Sequence, residues 1–225
     1  MSEIGEIFDT WVAEGRHTDM ETRHMHTAAE ALAAMPIESG ATVLDLGTGS
    51  GYAARVLAAR ATGVCVLGLD AAADMASAAA DADPAIAPLV ARFGRLPLAT
   101  DSVDHCWSME AFYYSSDPHR TLAELHRVLR PGGTFHCAVD FYAENHHSHG
   151  WADRVGLPMT LWSAAEYRGA FRAAGFATAV QRQIPDRIVE IPPADAFPTA
   201  GFETRAQMHE RYRELGTLLT VGVAR

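Results

Sequence analysis

Short apolar runs alternate with amphipathic stretches along most of the chain. Ile4, Ile7, Phe8, Trp11 and Val12 recur at helical spacing, as do Ala28, Ala29, Leu32 and Ala33, which predicts helices over 3–14 and 21–35. Pro36 and Gly40 close that region. Buried strands are then predicted over 41–46, 63–70, 87–93 and 103–109, with helices at 52–60 and 72–80 between them. Asp117 caps a helix from Pro118 to Leu129, with proline at its first turn. Pro131-Gly132-Gly133 is read as its stop, and 134–141 as the fifth strand. The stretch 142–159 is polar and loop-like. Ser163 and Glu166 form a capping box for a helix ending at Gly175. Strands at 176–184 and 217–223 flank a Pro-rich segment, 185–202, and a charged helix, 203–215.

Alternating strands and helices imply an α/β fold with a largely parallel sheet covered on both faces. The expectation is a Rossmann-like three-layer sandwich whose seven-stranded sheet is mostly parallel, with an antiparallel last strand. A chain of 225 residues fits one domain. Its expected parts are an N-terminal helical lid (1–39), a core (40–184), and a C-terminal excursion with the last strand (185–225). Ligands of such sheets bind beyond the carboxyl ends of the strands, at the topological switch point.

Composition narrows the picture. All 18 basic residues are Arg; with 28 acids the formal charge is −10. That balance disfavours broad contact with nucleic acid, which needs clustered cations. It suits a halophile, although a GC-rich genome also favours Arg and Ala. No long apolar run predicts a membrane span, and the acidic start does not resemble a signal peptide, so the cytoplasm is the expected location. Cys65, Cys106 and Cys137 sit in strand-like runs and are read as reduced core thiols.

One motif carries chemistry. Val43-Leu44-Asp45-Leu46-Gly47-Thr48-Gly49-Ser50-Gly51-Tyr52 joins the first strand to the next helix, and its glycines let backbone turn tightly against a ligand. Asp70 ends the second strand, where a carboxylate can accept hydrogen bonds from both ribose hydroxyls. Together these describe an adenosine site. The spacing Gly-x-Gly-x-Gly departs from that of dinucleotide sites. Asp45 before the turn suits a cationic amino-acid moiety and would repel a pyrophosphate, against a nicotinamide oxidoreductase.

With Leu69-Asp70 and Met75, the segment 96–104, and Leu125 to Gly133, this motif resembles the class I S-adenosylmethionine-dependent methyltransferases over roughly residues 40–180. The resemblance implies S-adenosylmethionine as cofactor and places Asp45, Gly47, Thr48, Gly49 and Gly51 around its amino-acid and sugar portion. It puts Asp70 on the ribose, Ala71 and Met75 at the adenine, and Ser108 with Met109 beside the sulfonium. Where relatives carry an Asp for the adenine amino group, this chain has Arg92, followed by Phe93, which could still stack on the ring. In related enzymes the segment around Arg16 folds over the cofactor, where Arg16 could pair with a carboxylate.

The acceptor is expected near Glu110 to Tyr114 and in the loop after the fifth strand. Tyr113 and His146 are the candidate catalytic residues, His147 and His149 being alternatives to the latter. Phe112, Tyr113, Tyr114, Tyr142, Trp151 and Trp162 are expected to wall an apolar pocket with polar handles. These features favour a small-molecule acceptor, with neither nucleic acid nor membrane as partner. A non-catalytic, regulatory cofactor-binding protein is the alternative. The spacing of His146, His147 and His149, with His24 and His26 upstream, is unspecific for a metal, and none is expected.

Overall fold

The computed structural model describes residues 3–14, 16–199 and 201–225, without the side chains of 3, 4, 12, 13, 16–20, 178 and 179. Helices α1 (Glu3–Ala13) and α2 (Arg16–Ala33) precede strand β1 (Thr42–Leu46). Then follow α3 (Tyr52–Ala58), β2 (Cys65–Asp70), α4 (Ala73–Ala82), β3 (Ile86–Val90) and β4 (Val103–Met109). Next come α5 (Pro118–Val128), β5 (Leu129–Val139), α6 (Trp151–Val155), α7 (Ala164–Ala173), β6 (Ala177–Ile184), α8 (Arg205–His209) and β7 (Thr217–Val223). The strands form one sheet in the order β3-β2-β1-β4-β5-β7-β6, with β7 running antiparallel between β5 and β6. This is the Rossmann-like sandwich expected from the pattern.

The apolar runs end up where their hydrophobicity demands. Leu44, Leu46, Val66, Leu69, Val103, Cys106 and Phe135 are fully buried in the sheet. Phe135 stacks on Phe171 of α7 at 5.2 Å. Asp117 caps α5 through the Arg120 amide, and the Ser163–Glu166 capping box is present at α7. The sheet order reverses between β1 and β4, which opens a crevice at their carboxyl ends.

Several elements differ from the sequence reading. Helix α2 begins at Arg16, so residues 16–20 continue a helix instead of linking two. Strand β3 stops at Val90, because Ala91 donates its amide to the Asp70 carbonyl (3.1 Å) and the chain then turns. Strand β5 begins at Leu129, since Gly132 and Gly133 exchange hydrogen bonds with Ala224 in place of ending the element. The stretch after β5 holds a 3-10 turn at His146–Ser148 and the short α6. The expected helix over 203–215 is real, but beyond His209 it widens into a π-helical turn, Glu210–Leu215. Cys65 is exposed, not a core thiol; Cys106 and Cys137 are buried, and burial pushes both thiols up. No helix among the described residues is long and apolar enough to cross a membrane.

Candidate active site

The turn after β1 is shaped by its glycines. Gly47 has φ 78°, donates its amide to the Leu69 carbonyl at 2.8 Å, and would bring a Cβ within 2.3 Å of Ala111 Cβ. Gly51, at φ 76°, lies against Ala79 of α4, so it packs helix on helix. Gly49 differs: a Cβ there would meet no protein atom within 4 Å, so its backbone faces open space. Asp70 closes the other side. Its carboxylate accepts from the Gly49 amide (3.1 Å) and the Ala72 amide (3.0 Å), and burial raises its pKa against the pull of these donors.

Both features open into one cavity of about 580 Å³. Gly47, Thr48, Gly49, Asp70, Ala71, Met75, Phe93 and Tyr113 line it, as the sequence reading expects. Phe8 and Trp11 of α1 close it above, Trp11 packing on Ala72 and Met75. Phe8 meets Tyr114 edge-on at 5.2 Å, and Trp151 donates its indole N–H to the Tyr114 hydroxyl at 3.0 Å.

Other predicted residues lie elsewhere. Asp45 is buried behind the turn, accepting from the Thr48 hydroxyl at 2.8 Å, and burial pushes its pKa up to about 7. The Ser108 hydroxyl donates to the Leu46 carbonyl at 2.9 Å, which pins β4 to β1. Arg92 is exposed and is not among the residues that line the cavity, whereas its neighbour Phe93 is. His146 is also exposed, at 57% of its side chain, beside Glu210. The side chain of Arg16 lies outside the described residues. Phe112, Tyr142 and Trp162 do not wall the cavity. They pack in the core, where Phe112 meets Phe135, Trp162 and Tyr167.

The deep end of the cavity holds a buried polar cluster, of which the sequence reading marked only the Glu110–Tyr114 segment, with Tyr113 as a catalytic candidate. Glu110, directly after β4, sits at φ 52°, a left-handed conformation that few non-glycine residues adopt. One of its oxygens accepts from the Asp140 amide and the other from the Tyr113 hydroxyl (3.0 Å). Burial and the Asp140 charge push Glu110 well above the ordinary carboxylate range. Asp140, directly after β5, accepts from Arg211 and from the Thr217 hydroxyl, both at 2.5 Å. Burial pushes Asp140 up, but Arg211, His24 and Thr217 outweigh it and hold its pKa below the usual range. Burial keeps His24 below an ordinary histidine, partly countered by Asp140. Strand-end position was the available signal for Glu110 and Asp140. Arg211, 71 residues further on, gave none.

Known proteins carry related sequences. The family profile of the methyltransferase domain matches residues 44–137. A chain in the complex between the Haloferax volcanii Trm112 methyltransferase activator and a candidate methyltransferase is 55% identical, with TM-score 0.93, over 96% of this chain and 97% of that one. The chain belongs to the class I S-adenosylmethionine-dependent methyltransferases. Malonyl-[acyl-carrier protein] O-methyltransferase from Pectobacterium atrosepticum is 40% identical over 102 residues, which are 45% of this methyltransferase and 40% of that protein. The match thus spans well under half the length of that curated relative. An S-adenosylmethionine-dependent methyltransferase from Thermotoga maritima shares the fold, with TM-score 0.71 over 98% of this chain and 99% of that one, at 19% identity.

The cofactor of this methyltransferase is S-adenosylmethionine, and the site fits it: an open backbone at Gly49, a carboxylate at Asp70 for the ribose, and apolar Met75 and Phe93 for a ring. One expectation is corrected. The reading that limited partners to a small-molecule substrate is overturned by the Haloferax relative, which is solved in complex with a protein, the Trm112 activator.

Proposed function

We propose that this methyltransferase methylates an acceptor held in the deep end of its cavity, that Glu110 takes the acceptor's proton, and that a protein of the Trm112 kind is its partner. The observation that carries the reading is that one cavity is lined both by the glycine turn with Asp70 and by a buried carboxyl, Glu110, clamped between two donors.

Bound S-adenosylmethionine supplies an electrophilic methyl group on a sulfonium. Asp70 orients it through the ribose, and Phe93 with Met75 covers the ring. Asp45, Gly51 and Ser108 shape the turn from behind. Phe8 and Trp11 exclude water, so α1 serves as a lid. At the far wall the Asp140 amide and Tyr113 hydroxyl fix both oxygens of Glu110, and the Asp140–Arg211 pair fixes that backbone in turn. As the acceptor atom gains the methyl it loses its proton to Glu110. Burial strengthens its hold on a proton, so Glu110 acts as base in its ionised form, and the rate is expected to rise with pH as it gives up its own proton. The near-full-length likeness to the Haloferax chain supports the partner, and the charge of −10 with no Lys supports work at high salt.

The test is transfer of isotope-labelled methyl groups to a fractionated lysate, with and without the Trm112-type protein. Wild type is expected to label at least one fraction, more strongly with the partner. Glu110→Gln is expected to lose roughly a hundredfold in rate or more, with cofactor affinity within threefold. Cofactor binding with no labelled fraction would point instead to a non-catalytic binding protein. An unchanged rate in Glu110→Gln would remove the base.

A further inference from the structure

We propose that His146, His147 and Glu210 form a divalent-metal site, zinc by its donor set, that clamps the C-terminal segment over the deep end of the cavity. The sequence alone did not favour a metal in this loop, because the spacing of its histidines, His149 included, is unspecific, and it gave no sign of Glu210. The fold brings Glu210 to the histidines from 63 residues away. Nε2 of His147 lies 2.9 Å from Oε2 of Glu210, and Nε2 of His146 lies 3.7 Å from the same oxygen. All three ligand atoms fall within 4.8 Å of one another. Zinc bonds of about 2.0–2.2 Å hold tetrahedral ligands about 3.4 Å apart, so small side-chain rotations close the site.

Hydrogen bonding does not explain the whole arrangement. One imidazole N–H satisfies the shorter approach, whereas the longer one is beyond hydrogen-bonding distance. The two rings lie with centroids 4.0 Å apart, and both turn a nitrogen to the same carboxylate. With zinc in place of the imidazole proton, two ring nitrogens and a carboxylate oxygen would make a donor set that suits the metal.

Each arm is anchored without the other. Buried Asn145 donates its side-chain amide to the Asp140 carbonyl (2.8 Å), and its own carbonyl accepts from the Ser148 amide (2.9 Å) and hydroxyl (2.8 Å). Glu210 opens the π-helical turn, in which Arg211 pairs with Asp140 and the Tyr212 carbonyl accepts from the Asp186 amide at 2.8 Å. Such turns are frequent at functional sites. His147, Arg211 and Tyr212 all line the cavity. Fixing Glu210 to the loop would therefore fix this side of the cavity's deep end, with water completing the coordination.

The test is calorimetric titration of zinc chloride into the full chain after chelator treatment. The expected result is one zinc per wild-type chain and at least tenfold weaker binding in both Glu210→Gln and the exposed His146→Ala. No binding in wild type, or less than tenfold weakening in either variant, overturns the site. The clamp has its own readout: S-adenosylhomocysteine is expected to leave zinc-loaded wild type at least threefold more slowly than the chelator-treated protein. Unchanged release would leave a metal site that is no clamp and overturn that part. The zinc titration involves neither cofactor nor acceptor, so its failure is separate from failure of the methyl-transfer reading.

Discussion

Asp70 does two jobs with one carboxylate: it fastens the amides of Gly49 and Ala72, and it lines the cavity, where the proposed reading has it hold the ribose. Gly47 is constrained more severely, because both its φ of 78° and the 2.3 Å approach of Ala111 exclude a side chain. Gly47→Ala is expected to cost about 1–3 kcal/mol of stability, read from denaturant unfolding; a loss within experimental error would mean that the turn relaxes freely. Asp45 supplies a pH prediction. Its folded pKa, about 7, lies above its ordinary 3.8, so the folded state binds the extra proton between these values. Stability from this group is full below pH 3.8 and is lost as pH rises through about 7. Asp45→Asn keeps an acceptor for Thr48 and removes the titration. The variant is expected to gain melting temperature over wild type progressively as pH rises across that window, and a constant difference would refute the assignment. At this scale the sequence disclosed what local chemistry announces: glycines in a turn and an acid at a strand tip. It could not place Asp45 and Ser108 behind the cavity or Arg92 outside its lining, because side-chain direction there depends on where the strand stops.

Helix α1 covers the cavity mostly through aromatic side chains, with Trp11 buried against α4 and edge-on to both Phe8 and Trp151. Trp11→Ala removes the center of that contact. S-adenosylhomocysteine is expected to dissociate at least tenfold faster from the variant, while the sheet stays folded by circular dichroism. An unchanged off-rate would show that α1 does not act as a lid. Elements were the most legible level. The expected spans of β4 and β7 match the observed ones, since each is a continuous apolar run between polar turns. Misreadings arose where long-range pairing overrode a local signal. Pro131-Gly132-Gly133 reads as a stop, yet hydrogen bonds to Ala224 across the sheet carry it into β5 as a bulge, with Gly132 at φ 85°. The π-helical turn was equally hidden, because its neighbours Asp140 and Asp186 lie far away in sequence.

Taken whole, the molecule carries a charge of −10, with its cations all Arg. Self-repulsion at low ionic strength should be screened by salt, the Debye length falling from about 10 Å at 0.1 M to about 3 Å at 1 M. Melting temperature is expected to rise between those concentrations of sodium chloride, and a flat or falling curve would show that repulsion does not limit stability. The parallel sheet was legible from the alternation of strands and helices, but its strand order was not; that order brings the tips of β1, β2, β4 and β5 to one crevice, and this convergence makes distant residues into one site. The partner was not legible, because nothing in a single chain's periodicity marks which surface another protein covers. Calorimetric titration of S-adenosylhomocysteine into wild type and Asp70→Ala addresses the cofactor site most directly. One site per wild-type chain and at least tenfold weaker binding in the variant are expected, whereas no binding in wild type, or equal affinity in both, would contradict the assignment.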